Sequence, residues 1–229
     1  MISFVKGIVD YIDENACLSI SVDTEYAVWL NGTLLGCCQY DDYPDNKVFD
    51  NYEVSKLLHP GKNVLIIKAY YQGIESFQYS IGAPGLWFCL TNGTSCIASD
   101  ETVYCRKNAQ YTCGEIYKIT LQLGFGFMYD ASKKDFPWKN AVELPSHTTL
   151  SPRPIKRTVL SKPTVGKLIS QGYYIRKKTS GTFAEQMNED FLSFRRNFGT
   201  VLPFGNTDYP YIAKDTEADG VYLLFDWYV

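Results

Sequence analysis

The densest group of chemically capable side chains in this chain is acidic. Asp41, Asp42 and Asp45 are separated by at most two residues. Two carboxyl groups about 5–9 Å apart, one of them with a raised pKa, catalyse glycoside hydrolysis. Because the neighbours Asp41 and Asp42 face opposite directions in an extended chain, we interpret the cluster as a solvated loop and predict no catalytic residue.

Calcium binding is the alternative interpretation of this cluster, since hard cations take oxygen ligands from loops. The regular Asp-x-Asp-x-Asp alternation of a loop-wrapped calcium site is missing, however. Zinc and nucleophilic chemistry are not indicated either, because the only histidines are His59 and His147 and no Cys-x-x-Cys pair occurs. We therefore predict no metal-binding residue and no cofactor, with calcium left as the alternative.

A second set of side chains has the chemistry of a sugar site. Such a site needs an aromatic ring to stack on, with amides or carboxylates that bind hydroxyl groups. Two polar segments supply both, and one of them directly follows an apolar strand. The candidate carbohydrate-binding residues are Tyr40, Asp41, Asp42, Tyr43, Tyr71, Gln72, Glu75 and Gln78. The alternative is that these segments are ordinary connections whose polar side chains face water.

Charge and composition exclude several other partners. The chain has 229 residues, 45% of them hydrophobic, and a net charge of −3. No basic stripe indicates a nucleic acid partner, and no polybasic patch indicates a membrane partner. No apolar stretch of 18 residues is present, so no transmembrane helix is predicted.

The cysteines and the N-terminal residues give information about the cellular compartment of the protein. The seven cysteines lie mostly in apolar or alternating segments, as Cys89 does within Leu86–Leu90. There we expect them to act as small buried hydrophobic side chains, which favours a reducing compartment. Since the first residues also lack a secretory signal, we predict a cytoplasmic location.

Strands, rather than helices, must position these groups. Leu18–Val22 alternates apolar and polar residues, as a half-buried strand does. Tyr26–Leu30 and Thr33–Cys37 flank Asn31-Gly32, a pair that suits a two-residue type I′ hairpin turn. Asn63–Tyr71 is almost continuously apolar and is predicted to be a central strand. The fold class is therefore all-β and mainly antiparallel.

Proline marks the predicted domain boundary. Four prolines between residues 145 and 163 remove backbone donors and stiffen the chain, so we expect a connector and not a strand. We predict an N-terminal β-sandwich over 1–150, a proline-rich linker over 151–163 and the start of a second β-rich domain over 164–229. The last ten residues are an apolar strand that runs to the end of the sequence. We expect this second domain to be truncated.

Within these domains, further elements are expected. Ile116–Leu123 alternates like a strand, and Asn92-Gly93 suits a second hairpin turn. Val165–Lys178 and Val221–Phe225 read as strands, whereas Thr182–Phe198 has roughly helical spacing and is predicted to be a helix or an irregular loop.

Several motifs in order resemble the N-terminal non-catalytic region of bacterial α-L-rhamnosidases, a family of glycoside hydrolases. The segments that carry the resemblance are Tyr26–Gly36, Asp50–Leu65, Tyr129–Ala131 with Trp138-x-x-Ala141, Ser151–Ile155 and Val221–Asp226. Ser132 stands where the family usually has arginine. The hairpin motif alone also suits other jelly rolls.

This resemblance implies a galactose-binding-like, antiparallel jelly-roll sandwich followed by the start of a second sandwich. In the family a downstream (α/α)6 barrel hydrolyses terminal α-L-rhamnose with inversion. We therefore expect this chain to be an inactive accessory fragment of a cytoplasmic bacterial enzyme. Its expected partners are the downstream catalytic domain and rhamnose-containing glycans. The alternatives are a free-standing carbohydrate-binding module and a structural or interaction domain.

Overall fold

The chain forms an all-β structure. The computed structural model describes residues 1–9, 15–91, 96–112, 125–145, 148–159, 164–175, 200–203 and 220–227. These residues fall into two compact units, Met1–Leu160 and Ser161–Val229. Within the described part of the chain, no helix has the length and apolar character needed to cross a membrane.

Unit 1 is a β-sandwich of two sheets, with a further pair of short strands. Its strands are β1 (Ile2–Val9), β2 (Cys17–Val22), β3 (Glu25–Leu30), β4 (Thr33–Cys37), β5 (Asn46–Glu53), β6 (Lys62–Tyr70), β7 (Leu86–Thr91), β8 (Cys96–Ala98), β9 (Tyr104–Lys107), β10 (Tyr111–Thr112), β11 (Met128–Tyr129), β12 (Lys139–Asn140) and β13 (Thr149–Pro152). A short 3-10 turn, Ser55–Leu57, precedes β6.

The two sheets enclose one core. The strand orders are β12-β9-β1-β6-β3-β4 and β13-β5-β2-β7-β8, and β10 pairs with β11. Residues of β3 and β6, such as Val28 and Ile67, are buried with Ile20 of β2 and Phe88 of β7. Burial alternates along β3, where Tyr26, Val28 and Leu30 face the core, so the predicted period of two is confirmed. The central position predicted for β6 is confirmed as well.

The Asn31-Gly32 turn has the predicted backbone. The φ angles of Asn31 and Gly32 are 50° and 80°, as a type I′ turn requires. Asn31 does more than turn the chain, because its Oδ1 accepts a hydrogen bond from the Val64 amide at 2.9 Å and its Nδ2 donates to Asn63 Oδ1 at 2.8 Å. The side chain of Asn63 is fully buried. The hairpin is thereby fastened to the start of β6.

The proline-rich segment contains a strand, so the prediction of a strand-free connector is wrong for Thr149–Pro152. These residues form β13, which pairs in parallel with β5. Proline is tolerated there because β13 is an edge strand, where one backbone donor can be missing without breaking a ladder on both sides. Just beyond it, Arg153 makes an ion pair with the buried Asp50. The predicted domain limits stay predictions.

Cys89 does not behave as a free hydrophobic side chain, which corrects the prediction. It forms a disulfide with Cys96, at a Cα–Cα distance of 6.0 Å. The bond joins the neighbouring strands β7 and β8. Disulfides persist in oxidising compartments, so the cysteine pattern gives the cytoplasmic prediction no support.

Unit 2 is a three-stranded antiparallel sheet in its described residues. Its strands are β14 (Lys167–Ile175), β15 (Thr200–Pro203) and β16 (Gly220–Asp226), in the order β15-β14-β16. β14 and β16 agree with the strands predicted over 165–178 and 221–225, up to the described limit at residue 175. The strand predicted over 116–123, the turn at 92–93 and the helix or loop over 182–198 lie outside the described residues.

Candidate functional site

A pocket of about 190 Å³ opens at one end of unit 1. Four segments and the ends of two strands build its wall: the β2–β3 turn, the segment after β4, the segment after β6, and the residues just before β11. Loops at the end of a rigid sandwich are a common place for a binding site. The lining residues are Asp23, Thr24, Glu25, Tyr40, Asp41, Asp42, Tyr70, Gln72, Ser76, Gln78, Tyr79 and Phe125.

Gln39 fixes the segment that carries the predicted acidic cluster. Its side chain is buried, and its Oε1 accepts a hydrogen bond from the Val22 amide at 3.1 Å. Its Nε2 donates to the Val48 carbonyl at 2.6 Å and to Asp42 Oδ2 at 3.1 Å. The backbone of residues 40–42 is therefore held against β2 and β5, which turns Tyr40 and Asp41 towards the pocket.

Asp42 is occupied by protein groups. Its Oδ2 accepts the Val48 amide at 2.7 Å, and its Oδ1 makes an ion pair with Lys47. A carboxylate held by two amides and a cation braces the loop and has little capacity left for a ligand. Among the described residues no group of three or more carboxylate, cysteine or histidine side chains is arranged to hold a metal ion. Calcium binding stays a prediction.

Glu25 is a partly buried acid of the pocket whose pKa is raised. Burial is the main cause that raises the pKa of its carboxyl group to about 7, and the nearby charge of Asp41 raises it further. A hydrogen bond from the Gln39 amide to Glu25 Oε2, at 3.0 Å, acts in the opposite direction. Near neutral pH this carboxyl group therefore exists in both protonation states, and its protonated form can donate a hydrogen bond.

Asp23 and Tyr79 form another part of the lining. The Tyr79 hydroxyl donates to Asp23 Oδ2 at 2.5 Å, and Thr24 Oγ1 donates to the same oxygen at 2.8 Å. Burial and the hydrogen bond to Asp23 raise the pKa of Tyr79 to about 12, so its hydroxyl keeps its proton. Gly82 passes so close that a Cβ atom there would lie 2.5 Å from Asp23.

Gln72 is a buried lining residue that connects two segments of the pocket. It is 5% exposed, and its Oε1 accepts the Phe125 amide at 3.1 Å. Its Nε2 donates to the Ile74 carbonyl at 2.8 Å and to Ser76 Oγ at 3.2 Å. Every polar atom of this side chain is used by the protein, so Gln72 shapes the site and connects it to the segment at Phe125.

The structure brings together five of the eight predicted sugar-binding residues. Those that line the pocket are Tyr40, Asp41, Asp42, Gln72 and Gln78. The other three lie outside the lining: Tyr43 is exposed, the Tyr71 hydroxyl donates to the Gly82 carbonyl at 3.1 Å, and Glu75 Oε1 accepts the Ile81 amide at 2.8 Å.

Sequence reasoning missed seven lining residues, namely Asp23, Thr24, Glu25, Tyr70, Ser76, Tyr79 and Phe125. Some of them carried a signal. Asp23 and Glu25 are acidic residues at the junction of two predicted strands, where a tight connection exposes side chains. Phe125 carried none, because its approach to Gln72 spans 53 residues of sequence.

Comparison with solved structures identifies the fold to which this pocket belongs. The chain is similar to the GH78 family rhamnosidase of Bacillus sp. GL1, with 21% identity and a TM-score of 0.61 over 76% of this chain and 20% of that one. An α-L-rhamnosidase from Dictyoglumus thermophilum gives 18% identity and a TM-score of 0.48 over the same shares. A lectin from Pleurotus ostreatus gives 17% and 0.33, over 61% of this chain and 34% of the lectin.

The first of these similarities shows a shared β-sandwich fold. The match spans about a fifth of the length of that rhamnosidase. No protein-family model matches the sequence, and the search of curated proteins found no match.

Proposed function

We propose that this chain is an accessory, non-catalytic β-sandwich region of an α-L-rhamnosidase-like glycoside hydrolase, and that its pocket binds one sugar unit of the glycan. The observation that carries the proposal is the pocket itself. It combines the rings of Tyr40 and Tyr79 with the polar side chains of Glu25, Asp41 and Gln78, on a fold shared with part of a rhamnosidase.

The chemistry of the wall supports a sugar ligand. No hydrogen bond from the described residues reaches the Asp41 carboxylate or the Gln78 side-chain amide, so both can bind hydroxyl groups. A carboxylate accepts hydrogen bonds, whereas an amide both donates and accepts them. Together with the aromatic rings, these side chains offer partners for both the hydroxyl groups and the apolar face of a pyranose ring.

The size of the pocket supports a single sugar unit. Pockets for drug-sized ligands measure about 300–1,000 Å³, and this one measures about 190 Å³. Catalysis is assigned in this proposal to residues outside the chain. The chain is therefore expected to bind a sugar without cleaving it.

Isothermal titration calorimetry with methyl α-L-rhamnoside, with and without calcium, tests the proposal. Wild-type protein should release or absorb heat on binding, and Asp41→Asn should weaken binding about tenfold, by analogy with the loss of one charge-assisted hydrogen bond. Asp45→Asn is the matched control, because Asp45 is exposed in the same loop and does not line the pocket. Absence of binding by the wild type would refute the sugar-binding role.

A second assay tests the non-catalytic role. An aryl α-L-rhamnoside incubated with the purified protein should release no aglycone. If the wild-type protein released aglycone and the Glu25→Gln variant did not, catalysis would have to be assigned to this pocket. A free-standing carbohydrate-binding module predicts the same two results, and the two proposals differ in whether the coding sequence beyond Val229 encodes a helical barrel.

A further inference from the structure

A row of four aromatic rings leads away from the pocket, and we call it the aromatic ladder. It consists of Tyr70, Phe127, Tyr111 and Tyr129, in that order. The ring centroids of successive members are 6.4, 5.0 and 4.9 Å apart. These are the separations at which aromatic rings attract each other in tilted and edge-to-face arrangements.

The ladder is held in place by its surroundings. Tyr111 and Tyr129 are directly opposite each other in the antiparallel pair β10–β11, the arrangement in which cross-strand side chains stabilise a sheet. Lys68 of β6 donates a hydrogen bond from Nζ to the Tyr111 hydroxyl at 2.8 Å, and its Nζ lies 4.6 Å from the centre of that ring. Tyr111 is thereby fixed to the large sheet.

Two members of the ladder, Phe127 and Tyr129, face solvent. Phe127 is 48% exposed and Tyr129 is 54% exposed. Single exposed apolar residues are ordinary on a protein surface, but a contiguous set of them marks an interaction site. The rings also lose little conformational freedom on binding, since their packing already restricts them.

The ladder is continuous with the pocket. Tyr70 belongs to both, because it lines the pocket and its ring packs against Phe127. The Tyr70 hydroxyl donates to the Phe125 carbonyl at 2.8 Å, and Phe125 is itself a lining residue whose amide donates to Gln72. One wall of the pocket therefore runs without interruption into the exposed rings.

We propose that the aromatic ladder is a second sugar subsite, which receives the sugar units next to the one bound in the pocket. This inference rests on the proposed function and deepens it, because it makes the ligand an oligosaccharide or glycan chain and not a monosaccharide. The apolar face of a pyranose packs on an exposed aromatic ring, and Phe127 and Tyr129 each leave about half of their surface exposed. A chain anchored in the pocket has to leave it along one wall, and this wall offers stacking surfaces.

Calorimetry with two probes tests the inference. Methyl α-L-rhamnoside occupies the pocket alone, whereas the rhamnose-terminated disaccharide rutinose also extends onto the wall. We expect rutinose to bind wild-type protein more tightly than the monosaccharide. Phe127→Ala and Tyr129→Ala should each lower the affinity for rutinose about 3–10-fold, the range of one aromatic contact, and leave the affinity for the monosaccharide unchanged.

Two controls separate loss of a ring from loss of structure. Phe136→Ala removes an aromatic side chain of similar exposure, 51%, that is not part of the ladder, and should leave both affinities unchanged. Phe127→Leu keeps an apolar side chain and removes the ring face, so it should reproduce the effect of Phe127→Ala. The thermal unfolding midpoint of each variant is measured alongside.

The outcomes distinguish this inference from the proposed function. If rutinose binds no more tightly than the monosaccharide and the ladder variants change neither affinity, the second subsite is refuted while the pocket stands. If neither probe binds wild-type protein, the proposed function fails and this inference with it. If size-exclusion chromatography shows a dimer that Phe127→Ala dissociates, the ladder is a self-association surface and the inference is overturned.

Discussion

Replacing Glu25 by glutamine should remove much of the pH dependence of folding stability in mildly acidic solution. Burial raises the pKa of the Glu25 carboxyl group from 4.5 to about 7, aided by the charge of Asp41 and opposed by the Gln39 amide and by Arg153. Glutamine has nearly the same shape and keeps an oxygen that can accept the Gln39 amide, so the substitution removes the charge and little else.

The sign follows from linkage between protonation and folding. The folded state holds the Glu25 proton more tightly than the unfolded chain does, so this group stabilises the fold fully below pH 4.5 and loses that contribution as the pH rises through 7. A shift of this size corresponds to about 3 kcal/mol. Because the side chain is only half-buried and solvent screens it, about 2 kcal/mol is the expected difference.

Urea unfolding at pH 4.5, 6 and 8 measures the effect. The stability of Glu25→Gln relative to the wild type should rise by about 2 kcal/mol between the lowest and highest pH. Glu143→Gln, an exposed glutamate away from the pocket, should follow the wild type. Asp100 does not interfere with this measurement. Its pKa is lowered to about 2, mainly by a hydrogen bond from Lys6, so its effect on stability changes at a lower pH than this range. Parallel curves for Glu25→Gln and wild type would refute the reasoning.

Three other substitutions test what holds the sandwich together. Arg153→Met should lower the free energy of unfolding by about 3–5 kcal/mol in urea titrations, because it leaves the buried carboxylate of Asp50 without its cation; a loss below 1 kcal/mol would contradict this. Asn63→Ala should cost about 1–3 kcal/mol by the same measurement, since the fully buried side chain bonds the backbone amide and carbonyl of His59, just before β6. Cys96→Ser should cost about 2–3 kcal/mol, and non-reducing peptide mapping should show Cys89 and Cys96 linked in the wild type; unlinked peptides would exclude the bond.

Local sequence patterns predicted the fold well where local physics determines it. The alternation in Tyr26–Leu30 fixes which side chains face the core, and Asn31-Gly32 supplies the two positive φ angles that a tight hairpin needs. Thr149–Pro152 was predicted wrongly because its strand is defined by a partner, β5, that lies about a hundred residues earlier in the sequence. Pairing with a distant strand produces no periodic pattern in the sequence of the segment itself, so the strand could not be predicted from that segment.

The candidate site was predicted only in part, for a different physical reason. Asp41 and Gln72 look alike in sequence, as polar residues in connections. In the structure both polar atoms of the Gln72 side chain form hydrogen bonds within the protein, whereas no described residue forms a hydrogen bond with the Asp41 carboxylate. Whether a loop side chain braces the fold or faces a ligand depends on partners such as Phe125, which only the tertiary structure brings near.

The charge of the pocket narrows the kind of sugar that the proposed site accepts. Its lining residues include the carboxylates of Asp23, Glu25 and Asp41, and no lysine, arginine or histidine is among the described lining residues. The nearby cations Lys47 and Arg153 are paired with other carboxylates. The carboxylate of an acidic sugar would be repelled by these negative charges and would lose its hydration without gaining a positively charged partner. A neutral sugar meets no such cost, and a protonated Glu25 lowers the negative charge while adding a hydrogen-bond donor. The electrostatics of the pocket therefore agree with a neutral sugar and disfavour uronic acids.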